Sequence, residues 1–134
     1  MKTFFVVCAC ILGAWLLNRL IWPEVAPKTL ESVSGRVRYV VDGDSLYIGS
    51  YEPQIRLWGV DAPEKAQAGF EAASQTLYRY AYGQHVRCVK IDTDRYGRTV
   101  ARCWLKDGRE LNRLMIESGT AKEYRRYSKG FYSR

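Results

Sequence analysis

Apolar residues along this chain fall into one long opening run, a series of short alternating stretches, and two stretches at helical spacing. The opening run, Phe4 to Leu17, follows Lys2 and resumes as Leu20, Ile21 and Trp22 after Asn18 and Arg19. A basic start followed by an uninterrupted apolar segment is the pattern of an export signal. Extension to Trp22 brings the segment to about the length that spans a bilayer, with Trp22 at the interface. Residues 1–22 are therefore expected to be either a cleaved signal peptide or a retained N-terminal membrane anchor. Export would place the protein in the periplasm or outside the cell, tethered to the cytoplasmic membrane if the anchor is kept. Residues 23–32, which include Pro23 and Pro27, read as a linker.

The folded domain is expected over residues 33–134. Val37, Tyr39 and Val41 alternate with Arg36, Arg38 and Val40, which predicts a half-buried strand. Leu46 to Ile48 and Ile55 to Leu57 predict two more, separated by Asp42-Gly43 and by the turn from Gly49 to Pro53. Beyond Pro63, the spacing of Phe70, Ala73, Leu77 and Tyr80 predicts a helix with one core-facing stripe, ended by Gly83. Val86 to Ile91 and Thr99 to Leu105 form a hairpin pattern around D-T-D-R-Y-G-R, and Leu111, Leu114 and Met115 mark a second short helix closed by Gly119. The tyrosines near the C-terminus, Tyr124, Tyr127 and Tyr132, either stack on bases or close the barrel, and Tyr124 is the one expected in the core. Short strands with one helix after the third predict a mainly β protein with α, a five-stranded curled barrel with two principal helices rather than an alternating α/β sheet.

Charge and chemistry sharpen this outline. The net charge is +7, and +5 remains beyond residue 30, where 18 basic and 13 acidic residues stand. Within this basic domain, Asp42, Asp44, Asp61 and Glu64 cluster around two breaks in the apolar pattern, with Arg56 on the strand between them. Acids beside Gly and Pro at strand ends suggest a hard-cation site, and a basic domain around such a site favours a polyanionic substrate. Asp42 and Asp94 are expected to fasten their own turns. A single histidine, His85, and no C-x-x-C argue against zinc. Counting outward from Arg95 and Tyr96 sets Cys88 opposite Cys103, a cross-hairpin disulfide in an oxidising compartment and two small thiols in a reducing one.

Three blocks carry a resemblance: D-G-D-S at 42–45, R-L-W-G-V-D-A-P-E at 56–64 and D-R-Y-G-R at 94–98. In order and spacing they resemble the signature blocks of the staphylococcal nuclease (thermonuclease) family, and L-N-R-L-M-I-E-S-G-T-A at 111–121 resembles its second helix. The resemblance covers about residues 33 to 127. It implies an OB-fold barrel and a calcium-dependent phosphodiesterase that cleaves DNA and RNA with little sequence preference, leaving 3′-phosphate ends. By matching positions, Asp44, Asp61 and the carbonyl of Ala62 would hold calcium. Arg56 and Arg98 would hold the scissile phosphate, Glu64 would position or deprotonate water, and Tyr96 and Tyr127 would flank the nucleotide. Ser45 and Ala62 stand where the best-known member has threonine. Arg125 occupies the place of a second pocket tyrosine, and the chain ends soon after Tyr132, without that member's third helix. A noncatalytic OB-fold nucleic-acid-binding module is the alternative, and a protein-interaction domain of the same fold is a third reading. Neither alternative gives Asp44, Asp61 and Glu64 a task.

Overall fold

The computed structural model describes residues 30–134, so the opening apolar run and most of the linker lie outside the described residues. Five strands close into a barrel in the order β1-β2-β3-β6-β5. These are β1 (Ser32–Val40), β2 (Ser45–Ile48), β3 (Ile55–Leu57), β5 (His85–Thr93) and β6 (Thr99–Leu105). Only the β3–β6 pairing is parallel. The five-stranded barrel expected from the resemblance is therefore present, together with the two principal helices α1 (Phe70–Ala81) and α2 (Leu111–Glu117). Two-residue strands β4 (Val60–Asp61) and β7 (Lys122–Glu123) pair antiparallel outside the barrel. Among the described residues, no helix is long and apolar enough to cross a membrane.

Alternation sets the core. In β6, Thr99, Ala101, Cys103 and Leu105 are buried and the residues between them are not, as a strand with one solvated face requires. Leu46, Ile48, Ile55, Leu57, Val86 and Val37 complete the barrel interior, and α1 and α2 add Leu77, Leu111 and Met115 to the same cluster. Cys88 and Cys103 are direct cross-strand partners, their Cα atoms 4.0 Å and their sulfurs 2.06 Å apart.

Two expectations need correction. The alternation in β1 holds up to Val37, but a β-bulge then inserts one residue between the Val37–Ile48 and Tyr39–Tyr47 pairs. An extra residue reverses the facing of all that follows. Tyr39 consequently turns outward beside Tyr47, and Val40 packs on the core. The buried C-terminal tyrosine is Tyr132, not Tyr124. Its hydroxyl donates to Glu110 Oε1 at 2.5 Å, and Arg102 donates two bonds, of 2.8 and 2.9 Å, to the same carboxylate. A phenol can be buried when its O–H is so satisfied. The closing residues, for which periodicity predicts no element, form a one-turn helix α3 (Arg125–Ser128) and a 3₁₀ turn (Phe131–Ser133).

The turn from β3 to β4 is fastened by Asn112 of α2, which is fully buried. Its Nδ2 donates to the carbonyls of Trp58 and Ala101, and its Oδ1 accepts from the amide of Cys103. Truncation would leave the Trp58 carbonyl and the Cys103 amide without this partner, while the Ala101 carbonyl keeps the amide of Trp58. Asn112→Ala is expected to lower stability by about 2–4 kcal/mol, read as a shift in the urea unfolding midpoint with the slope unchanged.

Candidate active site

The acidic turn between β1 and β2 is built around Asp44. Asp42 accepts the amide of Asp44 at 3.0 Å through Oδ1 and so tightens the turn. Gly43 is the residue that fits between them, because a Cβ there would lie 2.6 Å from that of Ala73 and 2.7 Å from that of Ala62. The close approach presses the turn against α1 and the β4 loop, and it leaves Asp44 only 5% exposed. Asp44 Oδ1 accepts from Ser45 Oγ, and Oδ2 accepts from the amide of Ala62 at 3.0 Å. Arg56, on the neighbouring strand, brings Nη1 to 3.3 Å from Oδ2. The same nitrogen donates to the carbonyls of Leu57 and Val60. These contacts leave Nε and Nη2 of the guanidinium uncommitted to them.

Arg98 closes the β5–β6 hairpin and is held by Asp94. Its Nε donates to Asp94 Oδ2 at 2.6 Å, while Oδ1 accepts the amides of Tyr96 and Arg98. Partial burial raises the Asp94 carboxyl, but these bonds outweigh it and hold the group below its ordinary value. Asp94 therefore stays an anion and fixes the arginine. The guanidinium groups of Arg95 and Arg98 lie 4.8 and 5.4 Å from the Tyr96 ring centroid.

A cleft of about 620 Å³ opens between this hairpin and the C-terminal segment. Arg56, Arg98, Tyr96 and Tyr127 all line it, so two candidate phosphate-binding cations and both candidate stacking rings converge. Tyr96 and Tyr127 are 68% and 58% exposed, free to meet a ligand face. Asp44 and the Asp61–Ala62 peptide meet beside Arg56, behind the cleft wall. Asp61 is exposed on β4 opposite Lys122, and Glu64 is exposed in the turn after Pro63, where its amide donates to Gln67 Oε1. Neither of these acids lines the cleft. His85 is also exposed, at the start of β5 and away from the cleft. Trp58, Tyr124 and Arg126 line the cleft as well. Sequence pattern marks Trp58 only as an outward strand position and Tyr124 as core. The sole signal for Tyr124 and Arg126 here is the basic, tyrosine-rich composition of the last fifteen residues.

Residues 54–134 match the family profile described as Staphylococcal nuclease homologue. The chain belongs to the staphylococcal nuclease family. Its relatives include "Protein ParB" of Escherichia coli, 34% identical over 111 residues that cover 75% of this chain and 63% of that protein. An "Uncharacterized endonuclease" of Escherichia coli O157:H7 is 31% identical over 76% of this chain and 68% of its own length. A "Micrococcal nuclease" of Shigella flexneri is 32% identical over 71% of this chain and 60% of its own. This family member thus spans 60–68% of the length of these relatives.

Among the described residues, no group of three or more His, Cys, Asp or Glu side chains is gathered as a metal cage. The donors that the resemblance names are the carboxylates of Asp44 and Asp61 and the carbonyl of Ala62, an all-oxygen set that would suit a hard cation completed by water. The state of Asp44 fits such a cation. Burial pushes its carboxyl from 3.8 up to about 6, Arg56 opposes the shift, and the Asp42 charge adds to it. One guanidinium therefore undercompensates the buried anion, and a nearby divalent charge would complete the balance. With the folded value above the unfolded one, the stabilisation from protonated Asp44 is full below pH 3.8 and is lost as pH rises through about 6. In chelator, wild type is expected to lose about 2 kcal/mol relative to Asp44→Asn between pH 4 and pH 7. Urea unfolding of both proteins at the two pH values measures this difference.

Proposed function

We propose that this protein is a metal-dependent endonuclease, a phosphodiesterase that uses calcium to hydrolyse DNA and RNA with little sequence preference and leaves 3′-phosphate ends. The observation that carries the reading is the convergence of Arg56 and Arg98 on one cleft, beside a buried carboxylate. A module that only binds nucleic acid needs the cations but gains nothing from Asp44 next to them, since an acid repels phosphate unless a cation offsets it. The nuclease names among the relatives support the same conclusion.

In this reading Arg56 and Arg98 grip the nonbridging oxygens of the scissile phosphate. The planar fork of arginine matches that geometry and cannot lose its charge, so lysine would not replace it. Asp44, Asp61 and the Ala62 carbonyl would hold the calcium ion, which would supply divalent charge and orient water at the phosphate. Glu64 accepts a proton from the water whose oxygen bonds to phosphorus. The bond from phosphorus to the 5′ oxygen breaks, and that oxygen leaves as a hydroxyl with a proton from solvent. Tyr96 and Tyr127 flank the nucleotide by stacking, which tolerates any base. Export by the opening apolar segment would bring the enzyme to an oxidising compartment, where Cys88 and Cys103 are bridged.

Full-length protein is expected to cleave labelled single-stranded DNA and RNA with calcium and to stop on chelation. Glu64→Gln should lower kcat by about 10²-fold or more, and Arg98→Ala by about 10²–10³-fold, each with an unchanged unfolding midpoint. Tight binding without cleavage by the calcium-loaded protein would instead support the noncatalytic module. Cys88→Ser opens a crosslink between positions 15 residues apart and should lower the stability of exported protein by about 3 kcal/mol. A thiol titration that finds both cysteines free in that protein would reject the bridge.

A further inference from the structure

The outer face of β5 and β6 holds a second concavity that the mechanism does not use. It measures about 400 Å³ and is lined by His85, Arg87, Trp104, Leu105, Lys106 and Gly108. None of these residues is acidic. Among the described residues, neither Arg87 nor Lys106 takes part in an ion pair. Arg87 sits directly across the ladder from Trp104, and His85 across from Arg36 of β1. The face therefore combines uncommitted positive charge with an aromatic ring.

A row of planar groups joins this concavity to the cleft. Trp58 lines the cleft, and the Phe131 ring meets it edge-on with centroids 5.6 Å apart. The Arg102 guanidinium lies 4.6 Å from the Phe131 centroid and 4.9 Å from that of Trp104. Glu110 binds Arg102 through both carboxylate oxygens. The middle of the row is thus nearly neutral, its planar groups packed on one another, while the net charge lies at Arg87 and Lys106. On the outward side of β6, Val100 of the cleft and Trp104 of the concavity are four residues apart, about 14 Å. A stacked strand at about 3.4 Å per nucleotide covers that distance with about four nucleotides.

We propose that this groove is a second docking segment for single-stranded DNA or RNA, receiving the part of the strand that leaves the cleft across the outer face of β6. Bases meet the rings at the two ends of the row, Trp58 in the cleft and Trp104 in the concavity, and phosphates meet Arg87 and Lys106. The assignment rests on the nuclease reading and deepens it, because it makes affinity depend on substrate length. A concave groove with a half-buried tryptophan fits a strand better than the flat surface of an anionic membrane.

The test measures calcium-supported cleavage of labelled deoxyoligonucleotides of four and twelve nucleotides by full-length wild type and by the Arg87→Gln/Lys106→Gln double variant. Unfolding midpoints of both proteins check that the fold is retained. In wild type, the KM for the longer substrate should be lower by about fivefold or more, and the variant should lose most of that difference, with a salt slope shallower by about 1.4. A variant that keeps the wild-type length dependence overturns the groove and leaves the nuclease reading standing. Wild type that cleaves neither substrate overturns the nuclease reading and this extension with it. Binding to phosphatidylglycerol vesicles that is lost in the variant, with length dependence intact, reassigns the face to a membrane and also overturns the proposal.

Discussion

Four consecutive carbonyls in the turn between β3 and β4 hold this molecule's chemistry in place. Arg56 takes those of Leu57 and Val60, Asn112 takes that of Trp58, and the amide of Tyr124 takes that of Gly59 at 2.8 Å. A turn packed against the core must satisfy its carbonyls within the protein. Here the partners are the adjoining strand residue Arg56, a helix and the C-terminal segment, so two distant parts of the chain converge on one bend. Gly59 permits the convergence. Its φ of +72° favours glycine, and a Cβ there would lie 3.0 Å from the Tyr132 ring. The acids at Asp61 and Glu64 follow this bend directly and take their positions from it.

The same bend sets the electrostatic condition of the site. Arg56 cannot serve its turn without standing beside Asp44, and Asp44 cannot leave the interior while Gly43 is wedged between Ala62 and Ala73. The result is a buried carboxylate with one guanidinium for company and a carboxyl raised to about 6. Burial opposes ionisation more strongly than a single cation restores it. An oxygen-lined site in that condition favours a further positive charge. Across the cleft, Asp94 and Arg98 make the opposite arrangement, in which hydrogen bonds outweigh desolvation and keep the pair charged. One side of the cleft is thus short of positive charge, and the other is balanced.

A second polar network docks the C-terminal segment. Glu110 binds Arg102 and Tyr132, and Glu123 accepts from Ser128 and from the amide of Tyr132. Burial and then the Glu110 carboxylate push the Tyr132 phenol well above its ordinary range, so it remains a donor. Through this network the short helix α3 and the Tyr124 and Tyr127 rings, which meet edge-on, form one wall of the cleft. The planar row toward Trp104 grows from the same anchoring, since Arg102 is held by Glu110 while it stacks.

Much of this was legible along the chain. Period-two alternation located the barrel strands, helical spacing located α1 and α2, and the hairpin centre paired Cys88 with Cys103, because each of these patterns is local or symmetric about a turn. The acidic turns and Arg56 stood out because charge interrupts an apolar pattern there. Tertiary structure alone decided the rest. The bulge in β1 turns Tyr39 outward because strand register is settled by the partner strand. Tyr132 replaces Tyr124 in the core because Glu110, far away in sequence, supplies its hydrogen bond. Asn112 reads as one more polar position on a helix until Trp58, Ala101 and Cys103 surround it. Sequence by itself determined which residues are apolar, where the chain turns and which chemical groups are available. Only the fold decided which buried polar groups meet, since each needs a partner from another segment and no local period records that partner.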